Sequence, residues 1–185
     1  MLLQKIKEFN IPVVKVIESF EDIQSLITYT RSLSNAEGFI LSFHDGHKLK
    51  IKADEYVRIH KMLDRVRFDR NIVDLIINEN MDDVVPMMPE HEVTRIRKFE
   101  IHFWDAFKVK EDRLLAERDI TKQVYDNDRK RIALEFIPTL ETKADAGFIF
   151  KMLDGHDIRE LMLAHIEKNI STNTKWDECA KWLGM

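Results

Sequence analysis

The sequence predicts an α+β fold that is mainly helical, and three patterns point to it. Apolar and polar residues alternate over residues 38–52 on either side of Asp45-Gly46, which is the signature of a β-hairpin closed by a tight turn. Beyond Lys52 the apolar spacing changes from two residues to about 3.6 and stays there to the end of the chain. Proline and glycine are few and scattered, so neither part looks like a linker or a repeat. The change of period divides the chain into a small α+β piece, residues 1–58, and an all-helical region, residues 59–185.

In chain order, Leu2, Leu3, Ile6 and Phe9 share one helical face, so a short helix is expected over residues 2–9, ended by Ile11-Pro12. Val13-Val14-Lys15-Val16-Ile17 then reads as a buried strand. Ser19 has the chemistry of a helix N-cap. With Asp22 three residues on and Phe20, Ile23, Leu26, Ile27 and Tyr29 recurring, it predicts an amphipathic helix over residues 20–33. Phe39, Leu41 and Phe43 form one side of the first hairpin strand. In the second, Leu49 and Ile51 alternate with Lys48, Lys50 and Lys52, which sends Ile51 toward a core and puts Lys50 and Lys52 on one face. Two strands and one more upstream are too few to close a sheet, so an N-terminal portion of this piece is expected to be missing.

The helical region begins with a short helix marked by Ile72, Val73, Leu75, Ile76 and Ile77, followed by a loop from Asp82-Asp83 to Pro89. A longer helix starts near Glu90, with Val93, Ile96, Phe99, Phe103 and Phe107 as its core stripe. Further helices are expected from Ile120 to Phe136, stopped by Ile137-Pro138, and from Ala144 to Leu153, stopped by Asp154-Gly155. Ile158, Leu161, Met162, His165 and Ile166 mark another, and Trp176, Ala180 and Trp182 a last short one.

Composition limits the functions open to such a chain. Its 29 basic and 33 acidic residues give a net charge of −4, which excludes a global basic field for nucleic acid, so any phosphate contact has to be local. The single cysteine, Cys179, suits a reducing compartment and is given no chemical role. Neither a secretory leader nor a membrane-length apolar run is visible, and a cytoplasmic protein with no membrane partner is expected.

The residues with chemical promise lie in the hairpin. Like charges held side by side at Lys50 and Lys52 are stabilised when an anion joins them, so the pair is a candidate phosphate site, with Glu37 across the hairpin as a candidate metal or ribose ligand. The same lysines also suit a solvated strand edge protected against aggregation. Other signals carry less. His44, Asp45 and His47 have the chemistry of a metal site, but around an Asp-Gly turn they are expected to be exposed turn residues, and His91-Glu92 lacks the second histidine of a zincin helix. Basic clusters occur at Arg65, Arg67 and Arg70, at Arg95, Arg97 and Lys98, and at Arg129, Lys130 and Arg131. All are interspersed with acids, so a solvated helix face is the expected reading, and the first, closest to the hairpin, is the best of the three for RNA contact.

Glu37-Gly38-Phe39-Ile40, with Lys50-Ile51-Lys52 thirteen residues after Glu37 and Asp54, Tyr56 and His60 beyond, resembles the fourth and fifth nucleotidyltransferase motifs of ATP-dependent RNA ligases. The likeness is to the bacteriophage tRNA-repair RNA ligases, the first of the two phage RNA ligase families, and it covers residues 35–62. It implies that residues 1–58 are the C-terminal portion of a nucleotidyltransferase domain and residues 59–185 an all-helical C-terminal domain. It also implies sealing of RNA 5'-phosphate and 3'-hydroxyl ends, tRNA-like, with ATP and Mg2+ as cofactors in a complete site. By the same resemblance Lys50 and Lys52 would contact the nucleotide phosphates, and Glu37 would position the metal or the nucleotide.

The departure from the family matters as much. Such ligases attach AMP to a lysine in a Lys-x-Asp-Gly motif, and the nearest sequence here, Lys151-Met152-Leu153-Asp154-Gly155, has one residue too many at an expected helix end. The chain therefore reads as the C-terminal part of a ligase, truncated or split, whose N-terminal partner chain would bring the nucleophile. The alternative is a non-catalytic RNA-binding or regulatory module.

Overall fold

The computed structural model of the chain describes Val16 and residues 20–185. The helix expected over residues 2–9, the Ser19 cap and all of the strand at residues 13–17 except Val16 lie outside the described residues. What is described is mostly helical with one small two-stranded antiparallel hairpin. The chain forms two compact units, Met1–Arg58 and Ile59–Met185.

In the first unit, helix α1 (Ile23–Arg31) starts three residues later than the apolar pattern suggests. The cap is Asp22, whose carboxylate accepts the Ser25 amide at 2.7 Å and the Ser25 hydroxyl at 3.0 Å. Phe20 is left outside the helix, where its ring meets Tyr29 at 5.5 Å and Phe39 at 6.5 Å. Tyr29 stacks on Phe39 at 6.0 Å, so an aromatic cluster joins α1 to the hairpin.

Strands β1 (Gly38–Ser42) and β2 (Lys48–Lys52) pair with Phe39 opposite Ile51 and Ile40 opposite Lys50. The Asp45-Gly46 turn is closed by the Phe43 amide on the His47 carbonyl at 2.9 Å and by Gly46 in left-handed backbone, φ 91°. Ile51 is half-buried; among the described residues of this unit, two strands and one short helix lie around it.

Helix α2 (Asp54–Arg65) follows the hairpin, and the sequence pattern had not singled it out as an element. In the second unit α3 (Asp69–Ile77) buries Ile72, Val73, Leu75 and Ile76, four of the five residues that marked it, and leaves Ile77 partly buried. The loop expected from Asp82 to Pro89 is instead ordered as α4 (Met81–Val84) and a 3-10 turn, Val85–Met87, in which Met81 and Val84 turn into the core. The spine is α5 (Glu90–Tyr125), 36 residues long and, at 1.5 Å per residue, about 54 Å from end to end. It swallows the first residues of the helix expected from Ile120. The real break is at Asp126 and Asn127, both left-handed at φ 47° and 59°, a conformation that Asp and Asn adopt most readily among residues with a side chain. Asp128 then caps α6 (Arg129–Arg131), accepting the Lys130 and Arg131 amides at 3.0 and 3.1 Å, and the chain winds on as a π-helical stretch, Ile132–Phe136.

Helices α7 (Lys143–Leu153), α8 (Ile158–Asn169) and α9 (Asn173–Leu183) complete the unit around α5. The core stripe of α5 runs Ile96, Phe103, Phe107 and Leu114, and packs with Phe148, Ile149, Met162, Ile166 and Trp176. Cys179 is buried here, and burial pushes its thiol up to about 12, which keeps it protonated and inert. Among the described residues no helix is long and apolar enough to cross a membrane.

One ion pair is inside this core. Lys110, on the α5 stripe between Phe107 and Leu114, places its ammonium 2.9 and 3.0 Å from the two carboxylate oxygens of Asp145 on α7. The Trp182 indole on α9 donates to the same carboxylate at 2.8 Å, and its ring lies 5.0 Å from the ammonium. Three helices are thereby fixed against each other by charge-assisted bonds. Removing one partner leaves the other charge buried alone, so Lys110→Met is expected to cost about 3–5 kcal/mol in urea unfolding. The double variant Lys110→Met, Asp145→Leu should recover most of that, keeping a residual of about 1–3 kcal/mol for the orphaned Trp182 N–H. A single variant costing no more than the double would contradict this.

Candidate functional site

Strand alternation puts Lys48, Lys50 and Lys52 on one face of the hairpin, across from Ser42, Ile40 and Gly38. By the same alternation Glu37 would share the other face with Phe39. It does not, because Gly38 adopts φ 135° and turns the chain. A side chain cannot follow it there: a Cβ on residue 38 would lie 2.0 Å from the Ile51 carbonyl oxygen. The Glu37 carbonyl meanwhile accepts the Ala53 amide at 2.9 Å, extending the strand pairing past Lys52, and Ala53 is fully buried.

Released in this way, the Glu37 carboxylate accepts a hydrogen bond from the Lys50 ammonium and a second from the Tyr56 hydroxyl in the first turn of α2. Lys52 sits 5.3 Å above the Tyr56 ring. Tyr56 therefore links the carboxylate to the second lysine, a role that sequence spacing did not reveal. Its place among the residues following Lys52 was the only signal available. Asp54 opens α2 and His60 lies further along it. Asn35, left-handed at φ 58°, donates its amide to the Glu55 carboxylate at 3.0 Å and ties the entry of the hairpin to the same helix.

The charges hold one another. The Lys50 ammonium, and after it the Tyr56 hydroxyl, keeps the Glu37 carboxyl below the usual glutamate range. The Glu37 hydrogen bond raises Lys50 above the usual lysine value. Tyr56 is raised first by desolvation and then by its bond to Glu37. Glu37 and Lys50 keep 44% and 47% of their side-chain surface exposed, so the site faces solvent and a ligand reaches it without unfolding anything.

This geometry offers phosphate two fixed ammonium groups on one face, the nearer one aimed by a carboxylate. It does not by itself suit a divalent cation. Among the described residues no three His, Cys, Asp or Glu side chains cluster closely enough to hold a metal ion, and Glu37, a lone carboxylate, is already engaged by a lysine and a tyrosine.

The remaining candidates are dispersed. Asp45 accepts the His47 amide at 3.0 Å and contacts its ring nitrogen at 2.9 Å, an exposed turn arrangement. Arg65 pairs with Asp74 at 3.1 Å, and Arg70 donates to Asn173 at 2.8 Å and to the Ile170 carbonyl at 3.2 Å. Arg67 lies beside the Phe68 ring, 6.0 Å from its centroid. Arg95 and Arg97 bond Glu92 and Glu100, while Arg129 and Arg131 bond Asp154 and Glu135. Compared with protein-family models, curated proteins and solved structures, the chain matches none.

The linkage has a definite sign. The depressed carboxyl of Glu37 adds stability that is present above the usual glutamate range and is lost as pH falls through its folded value; the raised Lys50 adds stability that is lost only as pH rises through its own. Replacing Tyr56 by Phe removes one of the two bonds to Glu37 and keeps the ring under Lys52. In a carbon-detected NMR titration the Glu37 midpoint should move up toward that of an ordinary glutamate. An unmoved midpoint would show that the tyrosine does not hold the carboxylate.

Proposed function

We propose that this chain is the C-terminal part of an ATP-dependent RNA ligase of the tRNA-repair type, similar to the phage enzymes, which joins RNA 5'-phosphate and 3'-hydroxyl ends. The single observation that carries the proposal is the convergence of Glu37, Lys50 and Lys52, the residues of the ligase-like motifs, on one face of the hairpin, with Tyr56 bridging them. ATP, when bound, supplies the activated adenylyl group. What this chain would add is the Lys52 charge and the N–H donors that the Lys50 ammonium keeps beyond its bond to Glu37, with the carboxylate aiming Lys50. In phosphoryl and nucleotidyl transfer most of the acceleration comes from such positioning and electrostatics, which requires little covalent chemistry from these residues.

The lysine that would carry AMP has to come from an N-terminal nucleotidyltransferase part, because no Lys-x-Asp-Gly motif occurs in the sequence. Ligands for Mg2+ would have to come from there too, since Glu37 alone does not make a cation site. The proposal implies a cytoplasmic setting, where ATP and broken RNA meet.

The test combines labelled ATP with this chain alone and with an N-terminal fragment bearing Lys-x-Asp-Gly. The label is expected on the fragment alone, and end-joining only when both parts are present. Lys50→Ala or Lys52→Ala should slow joining by about 100-fold or more, the usual cost of losing one transition-state donor. Label on this chain alone, or joining indifferent to both lysines, contradicts the proposal. A non-catalytic RNA-binding module would bind RNA and never restore joining.

A further inference from the structure

The turn between α2 and α3 presents a phenylalanine to solvent from an otherwise buried setting. Val66 just before it and Ile72 and Val73 just after are fully buried, while Phe68 keeps 42% of its surface exposed. The exposure is not a matter of slack. The Arg65 carbonyl accepts the Asn71 side-chain amide at 2.6 Å, the Val66 carbonyl accepts Arg95 at 2.8 Å, and the Phe68 carbonyl accepts the Asn71 amide at 2.9 Å. A rigid turn beside a core thus holds an aromatic ring outward.

Two guanidinium groups flank the ring, with Arg67 and Arg70 at 6.0 and 5.9 Å from its centroid, the outer edge of cation–π contact. Arg70 is oriented by Asn173 and the Ile170 carbonyl, so its charge is fixed in place. Arg67 gives up little by moving onto a new partner. Arg65, by contrast, is neutralised by Asp74, and Asp69 is the one carboxylate in the sequence between Arg65 and Arg70.

We propose that Phe68, with Arg67 and Arg70, is a stacking platform for an unpaired base of single-stranded RNA, the ring taking the base and the two arginines the flanking phosphates. An exposed ring flanked by two guanidinium groups suits a nucleobase with its phosphates better than an apolar protein surface, which would offer neither charge an anion. Base stacking on an aromatic ring is tolerant of sequence and supplies a large part of single-strand affinity. The inference rests on the RNA reading above but needs none of the ligase chemistry.

Fluorescence anisotropy of the full chain with a labelled oligouridine of about twelve nucleotides, and with a duplex of equal length, tests it. The single strand should bind more tightly than the duplex. Phe68→Leu should weaken it by about fivefold or more, and Phe68→Trp should retain it. Arg67→Gln should lower the slope of affinity against salt by about one. Thermal melting of Phe68→Leu checks that the fold is kept. Equal binding by Phe68→Leu and the unaltered chain, equal affinity for duplex, or no binding overturns the proposal, as does self-association that Phe68→Leu abolishes. Failure of end-joining with this RNA binding intact would count against the ligase reading alone.

Discussion

At residue 38 the backbone runs at φ 135° so close to the Ile51 carbonyl that a Cβ would lie 2.0 Å from its oxygen, and every other property of the hairpin site depends on that approach. Only glycine permits it. The turn it makes carries Glu37 off the aromatic face, to which alternation would have assigned it, and onto the face of the lysines. There the carboxylate meets Lys50 and Tyr56, and Tyr56 in turn supports Lys52. One backbone torsion thus converts a strand-edge row of lysines into an aimed pair. Since all four side chains reach solvent, the pairing contributes little to stability and much to orientation.

The helical unit has a different governing constraint. Its long helix α5 carries a lysine where the apolar stripe asks for a hydrophobic residue, and Lys110 is tolerable only because Asp145 and Trp182 come to it from two other helices. The arrangement selects one way of packing α5, α7 and α9, because any register slip strands a buried charge. Such a core can display rigid surface features, and the turn holding Phe68 outward is one of them.

Much of this was legible in the sequence. Alternation and Asp45-Gly46 placed the hairpin, and 3.6-residue periodicity placed α3, α5, α7, α8 and α9, because these signals are local. Several features escaped, among them α2 and the helical ordering of the expected loop from Asp82 to Pro89. The boundary placed at Ile120 was wrong because Tyr125 and Ile132 stay in helical phase across the polar run at residues 126–131, while the break comes from left-handed backbone at Asp126 and Asn127. The Lys110 and Asp145 pair is 35 residues apart in sequence and only looks odd at each end. Tyr56 could be noticed, but its bridging of Glu37 and Lys52 depends on how α2 leaves the hairpin, which no local pattern encodes. Glu37 and Lys50 did come together, although for a reason that strand alternation alone would have denied.

The central claim is that Lys50 and Lys52 receive nucleotide phosphates. It is tested most directly by mass-spectrometric mapping of lysine acylation in the chain reconstituted with an N-terminal nucleotidyltransferase fragment, with and without ATP. The account predicts that ATP shields Lys50 and Lys52 together, while Lys48 on the same strand stays reactive. Unchanged acylation of both lysines in the presence of bound ATP would contradict it.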